Sequence, residues 1–186
     1  MSDSRIFLDT ELTGLHQQTS LISLALVAED GRSFYAEFTD YNQDQTDDWL
    51  QTNVLKHLHL KQGHRDHDGL AHSVCGDTTA VTEALREFLE QFGRIHICGD
   101  KLAYDWVLLC QLFGGARNLP GNIQRIPMDF ATLLQHHGLD PDLDRYDYAD
   151  HDDDHSKEQH LQKHHALYDA LVLRACCKRL MRDTKD

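Results

Sequence analysis

Basic residues are scarce in this chain: 18 Lys and Arg stand against 31 Asp and Glu, and the formal net charge is −13. Such a balance argues against an anionic partner, because binding a phosphate chain normally calls for a basic surface. Long apolar runs are missing as well. No stretch approaches membrane-spanning length, and Met1-Ser2-Asp3-Ser4-Arg5 leads straight into a short strand-like run without an apolar leader core. Those two absences predict a soluble, cytoplasmic protein with no membrane partner. Cysteine is sparse and unpaired by pattern: Cys75, Cys98, Cys110, Cys176 and Cys177 are odd in number, lack C-x-x-C spacing and mostly lie inside apolar runs. Buried reduced thiols are expected, with neither a disulfide framework nor a structural zinc site. With three prolines and 40% hydrophobic residues, 186 residues fit one domain spanning 1–186.

The location of the acid matters more than its total. Many aspartates fall in one segment, Asp140 to Asp154, interleaved with Pro, Tyr and Arg, which reads as a solvated loop. Carboxylates gathered around divalent cations are a second exception, since bound ions reverse the local sign of the field. The net charge therefore weakens a nucleic-acid partner without excluding one.

Arg5 to Asp9 reads as a buried strand ending in a charge, Leu21 to Val27 as a second strand and Ser33 to Phe38 as a third. Glu29-Asp30-Gly31-Arg32 carries the Asp-Gly hairpin signal between the last two. Ala80, Val81, Ala84, Leu85, Phe88, Leu89 and Phe92 recur at helical spacing between a cap at Asp77 and a stop at Gly93. Ile95 to Cys98 supplies a fourth strand, Leu102 to Phe113 a helix, Ile123 to Ile126 a fifth strand, Phe130 to His137 a helix, and Leu167 to Arg182 the last one. A meander followed by alternating strands and helices describes an α/β fold of the ribonuclease H-like kind, a mixed five-stranded sheet flanked by helices.

Asp9 and Glu11 close the first strand, and residues i and i+2 of a strand share a face, about 6.6 Å apart. Both can reach one cation, although a D-x-E taken alone is more often a solvated strand end. Gly14 permits a close turn just beyond. Asp105 lies inside an apolar helix, where an ionised carboxylate needs compensation, from a metal or from a base such as Arg125. Asp169 begins another apolar helix, with His164 five residues before it; one more exposed histidine among fourteen is the alternative reading. Four carboxylates brought together would repel by about 4 kcal/mol per pair at 4 Å for an effective dielectric near 20. Such a site makes sense only with cations, and hard oxygen donors favour Mg²⁺ or Mn²⁺, two of which form the usual device for in-line attack on a phosphodiester. His164 would then take the proton of the attacking water as general base.

Ile6-Phe7-Leu8-Asp9-Thr10-Glu11-Leu12-Thr13-Gly14, Gly99-Asp100-Lys101-Leu102-Ala103-Tyr104-Asp105 and His164-His165-Ala166-Leu167-Tyr168-Asp169 resemble, in order, the three motifs of the DEDD exonuclease superfamily. The H-x4-D spacing marks the DEDDh branch, with ribonuclease T, oligoribonuclease and polymerase proofreading subunits. Leu21 to Phe38, Asp48 to Leu55 and Cys110 to Gly114 extend the resemblance to a small bacterial 3′-5′ exoribonuclease family, across nearly the whole chain. The resemblance implies a metal-dependent exoribonuclease acting on the 3′ end of single-stranded RNA, release of nucleoside 5′-monophosphates, Asp9, Glu11, Asp105 and Asp169 as ligands of two divalent ions, His164 as base, and a homodimer. The chain departs from the pattern in Asp100, where many relatives carry an uncharged residue, and in the long acidic stretch before His164.

Thr10, Leu12, Tyr104 and Phe130 are candidate substrate contacts; as apolar residues the last three are equally explained by core packing. The histidines from His57 to His72 match no defined zinc spacing and read as a polar, mobile loop. The same site could serve a DNA 3′-5′ exonuclease, and an idle ribonuclease H-like binding module is the reading from another class. Nothing in the residues separates ribose from deoxyribose, because backbone groups can contact a 2′-hydroxyl as easily as side chains.

Overall fold

β1 (Ser4–Leu12), β2 (Leu21–Ala28) and β3 (Ser33–Phe38) form the antiparallel meander that their apolar runs predict. The Asp30-Gly31 turn joins β2 to β3: Gly31 sits at φ 96°, and the Ala28 N–H donates to the Arg32 carbonyl at 2.8 Å. Every residue of β2 is buried, as an uninterrupted apolar run requires of a strand covered on both faces. The computed structural model describes residues 3–68, 71–149 and 162–183.

The sheet has seven strands, in the order β4-β5-β3-β2-β1-β6-β7, where the sequence predicted five. β4 (Arg65–Asp68) and β5 (Ala71–Gly76) come from the segment expected to be a polar loop. β5 lies parallel to β3, and only its Val74 and Cys75 are buried, so it lacks the apolar signature of a strand. The expected fifth strand at Ile123 to Ile126 reduces to a single bridge from Ile123 to Ile95, and Ile126 is 83% exposed. Pro127, without an N–H to give, interrupts that run, and pairing resumes only at β7 (Met128–Asp129) beside β6 (Ile95–Gly99).

Two helices cover one face. α2 (Thr78–Leu89) starts at Asp77, whose carboxylate accepts from the Ala80 N–H, and with α3 (Ala103–Leu112) it packs Val81, Leu85, Phe88 and Leu109 against Ile6, Leu8, Leu24 and Phe34. The opposite face belongs to α4 (Phe130–His136) and α6 (Ala166–Asp183), which bury Phe130, Leu134, Val172 and Cys176 against Phe7 and Cys98. All five cysteines are buried. Two short α-helices are also present among the described residues: α1 (Asp48–Asn53), capped by Asp47, and α5 (Arg145–Tyr148), capped by Asp144. α5 lies in the stretch read as a solvated loop, and Ala149 directly after it is buried. Residues 150–154 of that stretch lie outside the described residues. No helix among those described is long and apolar enough to cross a membrane.

β1 thus alternates: Ile6 and Leu8 face α2 and α3, and Phe7 faces α6. Its parallel pairing with β6 runs only from Ser4 to Phe7, while β1 itself continues to Leu12. The last residues of β1 extend past the end of β6, between α3 on one side of the sheet and α6 on the other. A crevice beyond the carboxyl ends of parallel strands is where α/β sheets generally place ligands.

Candidate active site

Strand alternation sends Asp9 and Glu11 to the α6 face, where Asp169 stands in the first turn of that helix. Thr10 points the other way, toward α3, and its hydroxyl donates to the Asp105 carboxylate at 2.6 Å. The end of β1 therefore draws one acid from each face of the sheet. Asp105 is held by Thr10, not by Arg125, which is exposed.

The electrostatics show how tightly the acids converge. Burial holds the Asp9 proton well above the usual carboxylate range, and the charges of Asp169, Glu11, Asp105 and Asp100 add to the effect. Glu11 is pushed up to about 8, by burial first and then by Asp169 and Asp105. Burial raises Asp169 to about 6 against two hydrogen bonds, from the Tyr146 hydroxyl and the His164 N–H, that favour its ionised form. Asp105 is also raised, by burial, against the Thr10 bond. The sign follows for stability: these groups keep protons in the folded state that the unfolded chain releases near pH 4. Their contribution is full below that pH and is lost as pH rises through about 6 for Asp169 and about 8 for Glu11. Chelator-treated protein should therefore melt at progressively lower temperature from pH 5 to 8. Added Mn²⁺ should flatten or reverse that slope in thermal denaturation, and an unchanged slope would refute cation binding by the cluster.

His164 occupies the left-handed backbone region at φ 67°, unusual for a residue with a side chain. Its N–H donates to Asp169 at 3.0 Å, so the turn that presents the imidazole is tied to the acid five residues later. One atom each of Glu11, His164 and Asp169 lie within 4.8 Å of one another, a span one cation could bridge. This is the one such group among the described residues, and the histidines of 57–72 form none. The carboxylate oxygens suit a hard divalent ion, with the His164 ring nitrogen standing beside them, and the repulsion within the cluster is what such an ion would relieve. The neighbouring His165 turns away: it is 3% exposed and stacks on Tyr35 at 4.7 Å and on His59 at 5.5 Å between ring centroids. Glu37, equally buried, anchors that layer by accepting from the Tyr35 hydroxyl and the backbone N–H of His59 and Leu60.

Of the four candidate substrate contacts, Phe130 is corrected by its burial. It is 0% exposed beneath α6, because Asp129 caps α4 and turns its first residue into the core. Leu12 lines a pocket of about 320 Å³ with Thr10, Glu11, Gly14, Leu15, Trp49 and Leu50. Tyr104 borders the same region, its hydroxyl donating to the Leu15 carbonyl at 3.0 Å. Sequence reasoning missed Trp49, half-exposed on α1 with its ring 5.0 Å from that of His164. An aromatic two residues after an Asp cap, in a short segment with few apolar neighbours, was the available signal. It also missed the Asp100–Arg145 pair and the Tyr146 hydroxyl that donates to Asp169.

A family model described as the 3′-5′ exoribonuclease Rv2179c-like domain matches residues 4–181. The 3′-5′ exoribonuclease Rv2179c of Mycobacterium tuberculosis is 32% identical over 136 residues, 72% of this chain and 76% of that protein, and the same values hold for 3′-5′ exoribonuclease MT2234.1 from a second strain. Among solved structures, the zinc-bound complex of E. coli ExoI with single-stranded DNA superposes with a TM-score of 0.60 at 12% identity. The match covers 100% of this chain and 41% of the ExoI chain, and it carries the exonuclease fold.

Proposed function

Since the chain belongs to the Rv2179c-like 3′-5′ exoribonuclease family, we propose that it removes nucleoside 5′-monophosphates one at a time from the 3′ end of single-stranded RNA. The convergence of Asp9, Glu11, Asp105 and Asp169 beside His164 at the end of β1 carries this reading. The four carboxylates would hold two divalent ions, Mg²⁺ or Mn²⁺. Bound there, the ions would neutralise the cluster and draw charge from the scissile phosphodiester. The chain's own groups do the rest. His164 accepts the proton of the attacking water at the ring nitrogen that faces Glu11 and Asp169. Burial first, then the charges of Lys163 and His57, hold its pKa below the ordinary value, so it is neutral and ready at pH 7. The pocket walled by Leu12, Leu15, Trp49 and Leu50 receives the terminal base, whose face an indole can stack upon. The homodimer implied by the resemblance belongs to the same reading.

A site that seats a free 3′-hydroxyl should be blocked by a 3′-terminal phosphate. With a 5′-labelled RNA, products should form a descending ladder, and the 3′-phosphorylated strand should stay intact. Immediate release of the labelled 5′ nucleotide would overturn the direction of attack. Matched RNA and DNA oligonucleotides in the same assay decide between the ribose and deoxyribose readings.

A further inference from the structure

We propose that Tyr146 is a positioning residue that fixes Asp169 for cation binding; this rests on the reading of Asp169 as a ligand. Two protein donors aim the Asp169 carboxylate: Oδ1 accepts the Tyr146 hydroxyl at 2.8 Å and Oδ2 accepts the His164 N–H at 3.0 Å. A half-buried carboxylate gripped at both oxygens has one orientation, and partners of this kind orient ligands in metal sites generally.

Tyr146 rides on α5, which has four residues and cannot hold itself together as an isolated helix. Its anchors come from elsewhere. The Arg145 guanidinium donates to both oxygens of Asp100, at 3.0 and 2.8 Å, and to the Pro141 carbonyl at 2.7 Å, while lying 5.2 Å from the Phe130 ring centroid. The Asp144 carboxylate accepts from the N–H groups of Tyr146 and Asp147. The Cys176 thiol of α6 donates to the Arg145 carbonyl at 3.2 Å. Tyr146 itself stacks on Tyr168 at 6.1 Å, with the Lys163 ammonium 4.9 Å from its ring. Asp100 therefore acts in this chain as the dock for α5: its charge is matched by Arg145, and it stands outside the ligand set.

Tyr146→Phe removes the hydroxyl and keeps the ring. Calorimetric titration with Mn²⁺ should show affinity 10- to 100-fold weaker than the unmodified protein, the usual cost of losing such a partner. The Mn²⁺-induced rise in melting temperature should shrink accordingly, while kcat returns toward normal at saturating Mn²⁺ and the KM for RNA stays unchanged. Arg145→Lys, which keeps the charge but cannot grip both Asp100 oxygens, should move Mn²⁺ affinity the same way. Mn²⁺ affinity within twofold of the unmodified protein in Tyr146→Phe overturns the proposal, as does a lower melting temperature in chelator with unchanged Mn²⁺ affinity. Failure of the unmodified protein to bind Mn²⁺ would instead remove the metal reading itself.

Discussion

Asp9→Asn should all but abolish RNA hydrolysis and, in chelator, raise the melting temperature. The two effects have one origin. Asp9 stands where four other carboxylates, Asp169, Glu11, Asp105 and Asp100, oppose its ionisation on top of its burial. Without a cation that repulsion is a cost of the folded state, and an amide of the same shape relieves it. With a cation the same charge is an attraction, which the amide removes. Cation stabilisation of charge at a phosphoryl centre is worth several kcal/mol, and 1.36 kcal/mol is tenfold in rate, so turnover should fall by about 10³-fold or more. The Mg²⁺-induced shift in melting temperature should shrink with it, because that shift measures preferential binding to the folded state. Undiminished turnover refutes the assignment. So does an Asp9→Asn protein that melts below the unmodified one in chelator, since the cluster would then not be under electrostatic load.

The second large effect separates adjacent histidines. His164→Asn should lower kcat by roughly 10² to 10⁴, the usual size of a general-base contribution, with little change in metal or RNA affinity. Asparagine suits the test because it tolerates the left-handed backbone that His164 adopts at φ 67°. The N–H bond to Asp169 can therefore survive the change. Because the imidazole is already below its ordinary pKa, the unmodified enzyme should lose activity only on acidification below about pH 6.5. His165→Asn should leave the chemistry nearly intact but destabilise the fold. The ring is buried and packed in one layer with Tyr35 and His59. Losing a buried ring from such a layer costs about 1 to 2 kcal/mol, which for a chain of this size lowers the melting temperature by roughly 2 to 8 °C. If His165→Asn cripples turnover and His164→Asn does not, the motif is displaced by one residue.

Why these particular residues were legible follows from local geometry. A strand's two-residue period places Asp9 and Glu11 together wherever the strand goes, and the apolar helices around Asp105 and Asp169 announce that their acids are out of place. The resemblance to the DEDDh pattern, with its five-residue offset, is what singles out His164 from fourteen histidines. What stayed hidden depends on distant partners. β4 and β5 read as loop because their residues are mostly polar, and a parallel pairing to β3 leaves no trace in local sequence. Tyr146 and Arg145 were hidden by the aspartates around them, although one of these, Asp144, caps the short helix that carries both and the distant Asp100 docks it. Phe130 failed as a base-stacking candidate because burial by α6 is decided two elements away.

The turn from β6 into α3 has no room for even a methyl group. A Cβ on Gly99 would sit 2.1 Å from Leu102 Cδ1 and 3.3 Å from the carbonyl oxygen of Leu8, the residue before Asp9. Leu102, itself 4% exposed, would have to shift its side chain within the core. Every missense change at codon 99 adds that atom and forces this adjustment beside Asp9. A loss-of-function allele could arise there with every acid and the histidine still encoded.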